Sequence, residues 1–293
     1  MKTRIREYAA APNGRDEWVE IYTFQPKHRP KERRRSSIRA KGEDTTQKDK
    51  HDPGKGTFSS LVSGRPPRPG QRIVYVDGGF DLFSSGHIAF LRQISELEEK
   101  RGEANGWYAE SAQRQREADT GSDYGPAYII AGIHDDEVIN YYKGINYPIM
   151  NIFERGLCVV QCRYVHAVIF SAPYTPTKTY LAALPFFTTT TTLPDVIYHG
   201  PTSSMYTSDT DPYTDAKALG LFVQTEAHAF QDVNSAQIVQ RILDKRAEYE
   251  DRQRRKGEKG VGEEAQRTRE ALEREQEVEM EKRLKEVERQ FGA

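Results

Sequence analysis

From Arg72 onward the chain alternates short, wholly apolar runs with segments whose apolar residues recur at helical spacing. The runs have strand length, at residues 73–76, 128–133, 167–170, 195–198 and 220–223, and the helical patterns fall at about 87–100, from 135, at about 151–162 and from about 235. Strands that are apolar throughout are buried on both faces, and helices of matching number are what cover them. The pattern predicts an α/β fold, a doubly wound and mostly parallel sheet. Such sheets bind ligands beyond the carboxyl ends of their strands, so chemistry is expected in the loops that follow each strand.

The flanks read differently. Residues 1–70 are rich in proline and carry a basic run from Lys27 to Lys41, KHRPKERRRSSIRAK, so they bury too little apolar surface to offset the entropy of ordering. This segment is expected to be mostly disordered, except that 17–24 (EWVEIYTF) has the pattern of a short strand or docking segment. The basic run reads as a solvated linker, with a polyanion-binding or nuclear-localisation patch and phosphorylation of Ser36 and Ser37 as the functional alternatives. Residues 101–125 look like a polar surface insertion, and 188–192 are a five-threonine run with no evident chemistry. After Asp244 the chain is nearly all charged. Opposite charges four apart support a solvated helix there, broken near 257–262, while Leu272, Val278, Met280, Leu284 and Val287 keep no strict heptad. The expected organisation is a disordered arm over 1–70, a domain over 71–255 and a charged helical tail over 256–293.

Composition supports that division. Among 293 residues, 30% are charged and 36% hydrophobic, and the mean hydropathy of −0.79 is too polar for a single core of this length. With 43 Lys and Arg against 44 Asp and Glu, the net charge of −1 lacks the footprint of a dedicated nucleic-acid binder. No apolar stretch approaches the roughly 18 residues of a membrane span, and the first thirty residues lack the core of a secretory signal, so a cytoplasmic chain without a transmembrane segment is expected. Cys158 and Cys162, four apart, are expected to share a helix face and pack; neither they nor the scattered histidines have metal-ligand spacing.

The strongest local signal is IVYVDGGFDLFSSGHIAFL at 73–91. A buried strand runs into Asp77, Gly78 and Gly79, and the chain re-enters a helix at Gly86 and His87. Glycines there let a ligand approach the backbone, and a helix start offers amides and the positive end of a dipole to phosphate. The stretch is neither a Walker A loop nor a dinucleotide fingerprint, because Gly54-Lys55 is followed by Gly56 and no Gly-x-Gly-x-x-Gly occurs.

The segment Gly78-Gly79-Phe80-Asp81-Leu82-Phe83-Ser84-Ser85-Gly86-His87 resembles the Gly-x-Phe-Asp-x-x-His-x-Gly-His signature of cytidylyltransferase-type nucleotidyltransferases. Downstream, Tyr142-Lys143-Gly144 through Asn151, Glu154-Arg155, Cys162-Arg163-Tyr164-Val165, Ala172-Pro173-Tyr174, His199-Gly200, Asp211-Pro212-Tyr213 and 238–242 are similar to the second module of ethanolamine-phosphate cytidylyltransferases. The resemblance covers about 69–252. It implies a Rossmann-like HxGH-type fold and cytidylyl transfer from CTP to phosphoethanolamine, giving CDP-ethanolamine and pyrophosphate for phosphatidylethanolamine synthesis. It further implies His87 and Lys143 as catalytic groups, with Gly78, Gly79, Phe80, Asp81, Ser84, Gly86, His199, Gly200 and Ser235 around the nucleotide. The helix start at Ser235 would face the β- and γ-phosphates. Mg²⁺ carried by CTP, and a homodimer or a pairing with another such module, are implied as well.

Each residue has a plainer role open to it: a loop cap for His87, a surface lysine for Lys143, a structural histidine for His199, an N-cap for Ser235, and ion pairing for Arg155 and Arg241. The chain also departs from the pattern. Ser84 replaces the first histidine of the pair, Gln224-Thr225-Glu226-Ala227 stands where an arginine segment is usual, and Pro201 follows His199-Gly200. These changes keep a second reading open, that of a degenerate nucleotide-binding or scaffolding module supporting an intact partner.

Overall fold

Seven strands form one sheet: β1 (Glu20–Pro26), β2 (Gly56–Val62), β3 (Arg72–Gly78), β4 (Ala127–Ile133), β5 (Ala167–Phe170), β6 (Val196–His199) and β7 (Phe222–Gln224). This is a computed structural model that describes residues 19–27, 52–144, 147–186, 192–201 and 211–291. The strand order is β2-β1-β5-β4-β3-β6-β7. Every pairing is parallel except that of β1 with β2. The helices are α1 (Ser85–Ala104), α2 (Glu110–Thr120), α3 (Asp136–Lys143), α4 (Ile152–Val160), α5 (Lys178–Ala182), α6 (Thr214–Ala218), α7 (Ser235–Asp244) and α8 (Arg246–Phe291).

Alternation along β3 explains the two layers. Val74 and Val76 point into a core shared with Leu91 and Ile94 of α1 and Val159 and Val160 of α4. Ile73 and Tyr75 point the other way, against Tyr180 and Leu181 of α5 and Ala216 of α6. The doubly wound expectation is therefore met. Because β4 and β5 extend to one side of β3 and β6 and β7 to the other, the strand order reverses between β3 and β6, and there the loops diverge into a crevice.

Within the first 70 residues, β1 overlaps the 17–24 segment expected as a short strand, and β2 lies where disorder was expected. β1 and β2 form a hairpin joined to the β5 edge, with Ile21 in one core and Phe24 in the other. Phe24 meets Phe58 and Tyr180 at ring distances of 5.1 and 5.0 Å. Burial of these few aromatic and branched side chains on both faces outweighs the polar composition around them. The basic run beyond Lys27, with Ser36 and Ser37, and threonines 188–191 lie outside the described residues.

The 101–125 insertion is ordered rather than a bare loop. α1 continues to Ala104, α2 follows, and the buried Arg116 stacks over Trp107 at 4.3 Å and pairs with Asp123 at 2.6 Å. α4 ends at Val160, so Cys158 lies on it half-buried while Cys162 is buried just beyond, and neither takes part in a disulfide. The tail is one helix that runs through Gly257 and Gly262 without the expected break. The chain divides into two units, Met1–Ser235 and Ala236–Ala293. No described helix is long and apolar enough to cross a membrane.

Candidate nucleotide site at the carboxyl edge of the sheet

The loop after β3 holds a conformation that side chains ordinarily avoid, with φ of +50° at Phe80 and +47° at Leu82. Two buried charged residues keep it there. Asp81, only 2% exposed, accepts from the backbone N–H groups of Leu82 (3.1 Å), Ile149 (2.9 Å) and Met150 (2.9 Å). The fully buried Arg155 donates to the carbonyls of Gly79, His134 (2.7 Å) and Met150 (3.0 Å) and to the Asp136 carboxylate (2.6 Å). The loop after β3, the loop after β4 and the 149–150 segment are thus tied to one guanidinium.

The N-terminal turn of α1 fixes His87. The Ser84 backbone N–H donates to its Nδ1 at 3.1 Å, which leaves the ring proton on Nε2. The imidazole stacks on Phe83 with centroids 5.4 Å apart and lies 5.7 Å from the Phe80 ring. Desolvation first, and then the charge of Lys143, push its pKa down to about 4 against the opposing pull of Asp81. His87 is accordingly a neutral hydrogen-bond donor at physiological pH. Lys143 is the last residue of α3, and its own pKa is lowered by desolvation.

Two further histidines stand at strand ends beside it. His134 follows β4, is buried, and bonds the Ala172 carbonyl through Nδ1 at 3.1 Å; desolvation lowers its pKa to about 4. His199 ends β6 with Nδ1 bonded to the Gly200 carbonyl at 2.8 Å, and its pKa is also lowered, mainly by desolvation. Tyr213 connects β6 to β3, since its ring lies 5.0 Å from that of His199 and its hydroxyl donates to Asp77 Oδ1. The second oxygen, Asp77 Oδ2, is buried and has no hydrogen-bond partner among the described residues. Burial raises the Asp77 pKa to about 7 despite the Tyr213 and Tyr75 hydroxyls. A buried carboxyl with one unpartnered oxygen at the reversal point marks this strand end as a candidate site.

No family model matches the chain. Curated relatives do. Ethanolamine-phosphate cytidylyltransferase of Mus musculus is 36% identical over 197 residues, covering 67% of this chain and 40% of the relative. Its counterpart in Dictyostelium discoideum is 34% identical over 200 residues, 68% of this chain and 45% of the relative. Over two thirds of its length, the chain is a homologue of the ethanolamine-phosphate cytidylyltransferases. Choline-phosphate cytidylyltransferase A of Rattus norvegicus is also similar, at 28% over 58% of this chain and 36% of that protein. The cytidylyltransferase homologue described here spans less than half the length of these relatives. Among solved structures it is similar to a lipopolysaccharide core biosynthesis protein from Thermoplasma volcanium GSS1, at 16% identity and a TM-score of 0.34, covering 54% of this chain and 99% of that one.

Within this cytidylyltransferase homologue the expected residues divide into two groups. Gly78, Gly79, Gly86 and His87 gather around the β3–α1 turn, with His199 and Gly200 at the end of the neighbouring β6. A Cβ on Gly78 would meet nothing nearer than the Phe80 ring at 3.5 Å, so its own packing does not demand glycine. Phe80 and Asp81 need correction as side-chain ligands: the Phe80 ring belongs to the core, and both Asp81 oxygens are spent on backbone amides. Ser84 gives its hydroxyl to the Val233 carbonyl. Ser235 is buried where the first unit ends and α7 begins. Sequence reasoning missed Asp77 as a polar site group and His134 altogether; for Arg155 it expected the carboxylate pairing now seen with Asp136 but not the three backbone carbonyls that the guanidinium also holds. The signal for the first two was present, a polar residue at the end of an otherwise apolar strand. The carbonyl contacts of Arg155 left no signal, because a buried arginine on an amphipathic helix reads as a surface one.

Proposed function

We propose that this chain transfers a cytidylyl group from CTP to phosphoethanolamine, giving CDP-ethanolamine and pyrophosphate in phosphatidylethanolamine synthesis. The observation that carries the reading is the similarity of two thirds of the chain to ethanolamine-phosphate cytidylyltransferases, together with a neutral imidazole donor at His87 in the β3–α1 turn. The acceptor brings its own nucleophile: a phosphate oxygen attacks the α-phosphorus of CTP in line and pyrophosphate leaves. The protein's work is to hold two anions together and to stabilise spreading charge. His87 would donate from Nε2 to a phosphate oxygen, and Lys143 would supply the positive charge that brings the two phosphates close. Gly78 and Gly79 would admit the nucleotide to the backbone. The ammonium of the acceptor would donate to Asp77 Oδ2 and, by its charge, favour the carboxylate form. A quaternary ammonium has no N–H to give that oxygen, so phosphoethanolamine is preferred over phosphocholine. Mg²⁺ would travel with the triphosphate, as it does where phosphates supply most of its ligands.

The test is CDP-ethanolamine formation by the purified chain with CTP, Mg²⁺ and phosphoethanolamine, beside phosphocholine. Turnover that His87→Ala lowers by about 100-fold or more, in line with loss of a transition-state donor, is the expected result. Binding of CTP without turnover would favour the module that supports an intact partner, the reading to which Ser84 in place of the first histidine lends weight. No binding of CTP would overturn both.

A further inference from the structure

We infer that Ser84 is a positioning residue whose hydroxyl docks the segment ending at Ser235 onto the first turn of α1, which makes the serine a built part of the phosphate-binding arrangement. Ser84 Oγ donates to the Val233 carbonyl at 3.0 Å, a contact between positions 149 residues apart. The fit around it is close. A Cβ on Gly86 would come within 2.4 Å of the Val233 carbonyl oxygen and 2.9 Å of that of Phe230, both of them backbone. The docked segment has its own folded form. Gln231 N–H donates to the His228 carbonyl at 3.0 Å, Val233 N–H to the Phe230 carbonyl at 3.0 Å, and Phe230 N–H to His228 Nδ1 at 3.2 Å. It ends at Ser235, only 6% exposed.

Ser84 therefore acts twice. Its backbone N–H sets the His87 tautomer, and its side chain sets where the 228–235 segment lies against Gly86. An imidazole at position 84 would reach past the hydroxyl into the space of the Val233 carbonyl, and the segment would have to move away. On this geometry serine is the residue that the docked segment requires, and restoring a histidine would not improve the site. The inference rests on the cytidylyl-transfer reading, under which the nucleotide's outer phosphates meet the chain at Ser235 while His87 serves the inner one.

Calorimetric titration of the full chain with CTP and separately with CMP tests it, using the parent, Ser84→Ala, Ser84→Thr and Ser84→His. Losing one hydrogen bond that orients a binding segment should weaken CTP by about 3- to 10-fold in Ser84→Ala. CMP, which has no outer phosphates, should bind within about twofold of the parent, a split that general destabilisation would not produce. Ser84→Thr keeps a hydroxyl and should stay close to the parent, whereas Ser84→His should bind CTP more weakly. Unchanged CTP affinity in Ser84→Ala, equal loss for both nucleotides, or tighter CTP binding by Ser84→His would each overturn the role of Ser84 and leave the cytidylyl-transfer reading standing. A parent that binds neither nucleotide would instead sink that reading, and this inference with it.

Discussion

Asp77 sets stability against function in a way that pH exposes. Its folded pKa of about 7 lies above the ordinary carboxyl value, so the folded chain keeps a proton that the unfolded chain releases. The stability this confers is present at low pH and is lost as pH rises toward 7. His87 and His134, both near 4, act in the opposite sense: the folded chain excludes protons that the unfolded chain takes up below about 6.5, so their contribution is full above that pH and falls as pH drops toward 4. Asp77→Asn keeps the shape and removes the titration. It should raise the thermal midpoint at pH 8, by a stability gain of up to about 4 kcal/mol, with the gain shrinking toward pH 4. The same variant should raise the KM for phosphoethanolamine more than that for CTP. A midpoint that gains equally at both pH values would show that the carboxyl is ionised in the folded chain. Arg155 offers no such exchange. Replacing it with Met strands three backbone carbonyls that now accept from it, and a loss of about 3–5 kcal/mol in urea unfolding is expected, with turnover lost as the loop after β3 relaxes.

The β3–α1 turn shows how far the sequence could be read. An apolar run, two glycines and a Gly-His pair at a helix start were enough to place the turn, because each residue there answers a local need of strand, loop or cap. Gly86 went further than the local need. Alanine is favoured over glycine within a helix by about 1 kcal/mol, yet a Cβ at 86 would sit 2.4 Å from a backbone oxygen of a segment nearly 150 positions away. Overpacking against backbone costs about 1–3 kcal/mol, so the clash outweighs the propensity. Gly86→Ala should therefore lower the unfolding midpoint and weaken CTP binding, both readable from one thermal-shift titration with and without nucleotide. What the sequence hid has the same cause throughout. The hairpin of β1 and β2 depends on Phe24 finding Phe58 and Tyr180, the insertion on Arg116 finding Trp107, and the loop after β3 on Arg155 finding three carbonyls. Tertiary partners leave no periodicity behind, whether nine positions apart, as Trp107 and Arg116 are, or more than a hundred, as Phe24 and Tyr180 are.

The two units of the chain rest on different physics, and salt should separate them. Met1–Ser235 holds two hydrophobic clusters on opposite faces of a sheet, and burial of that kind is insensitive to ionic strength. Among the described residues of α8 no such cluster forms, and Leu272, Val278 and Met280 are all more than half exposed. Its support is a set of exposed ion pairs three or four residues apart, including Arg246–Glu250, Arg254–Asp251, Arg255–Asp251 and Arg269–Glu273. Such pairs contribute about 0.3–0.5 kcal/mol each, at most half the penalty of about 1 kcal/mol that each interior glycine imposes, which is why the helix survives Gly257 and Gly262 only through their number. At 1 M salt the screening length falls to about 3 Å and the pairs lose most of their strength. Far-ultraviolet circular dichroism at 222 nm should then lose helical signal without a cooperative transition, while the thermal midpoint of the sheet domain, followed by near-ultraviolet dichroism, stays in place. Removing residues 246–293 should abolish the salt-dependent loss and leave that midpoint unmoved. If the helical signal of the full chain ignores salt, α8 is held by packing against a partner helix and its ion pairs are incidental.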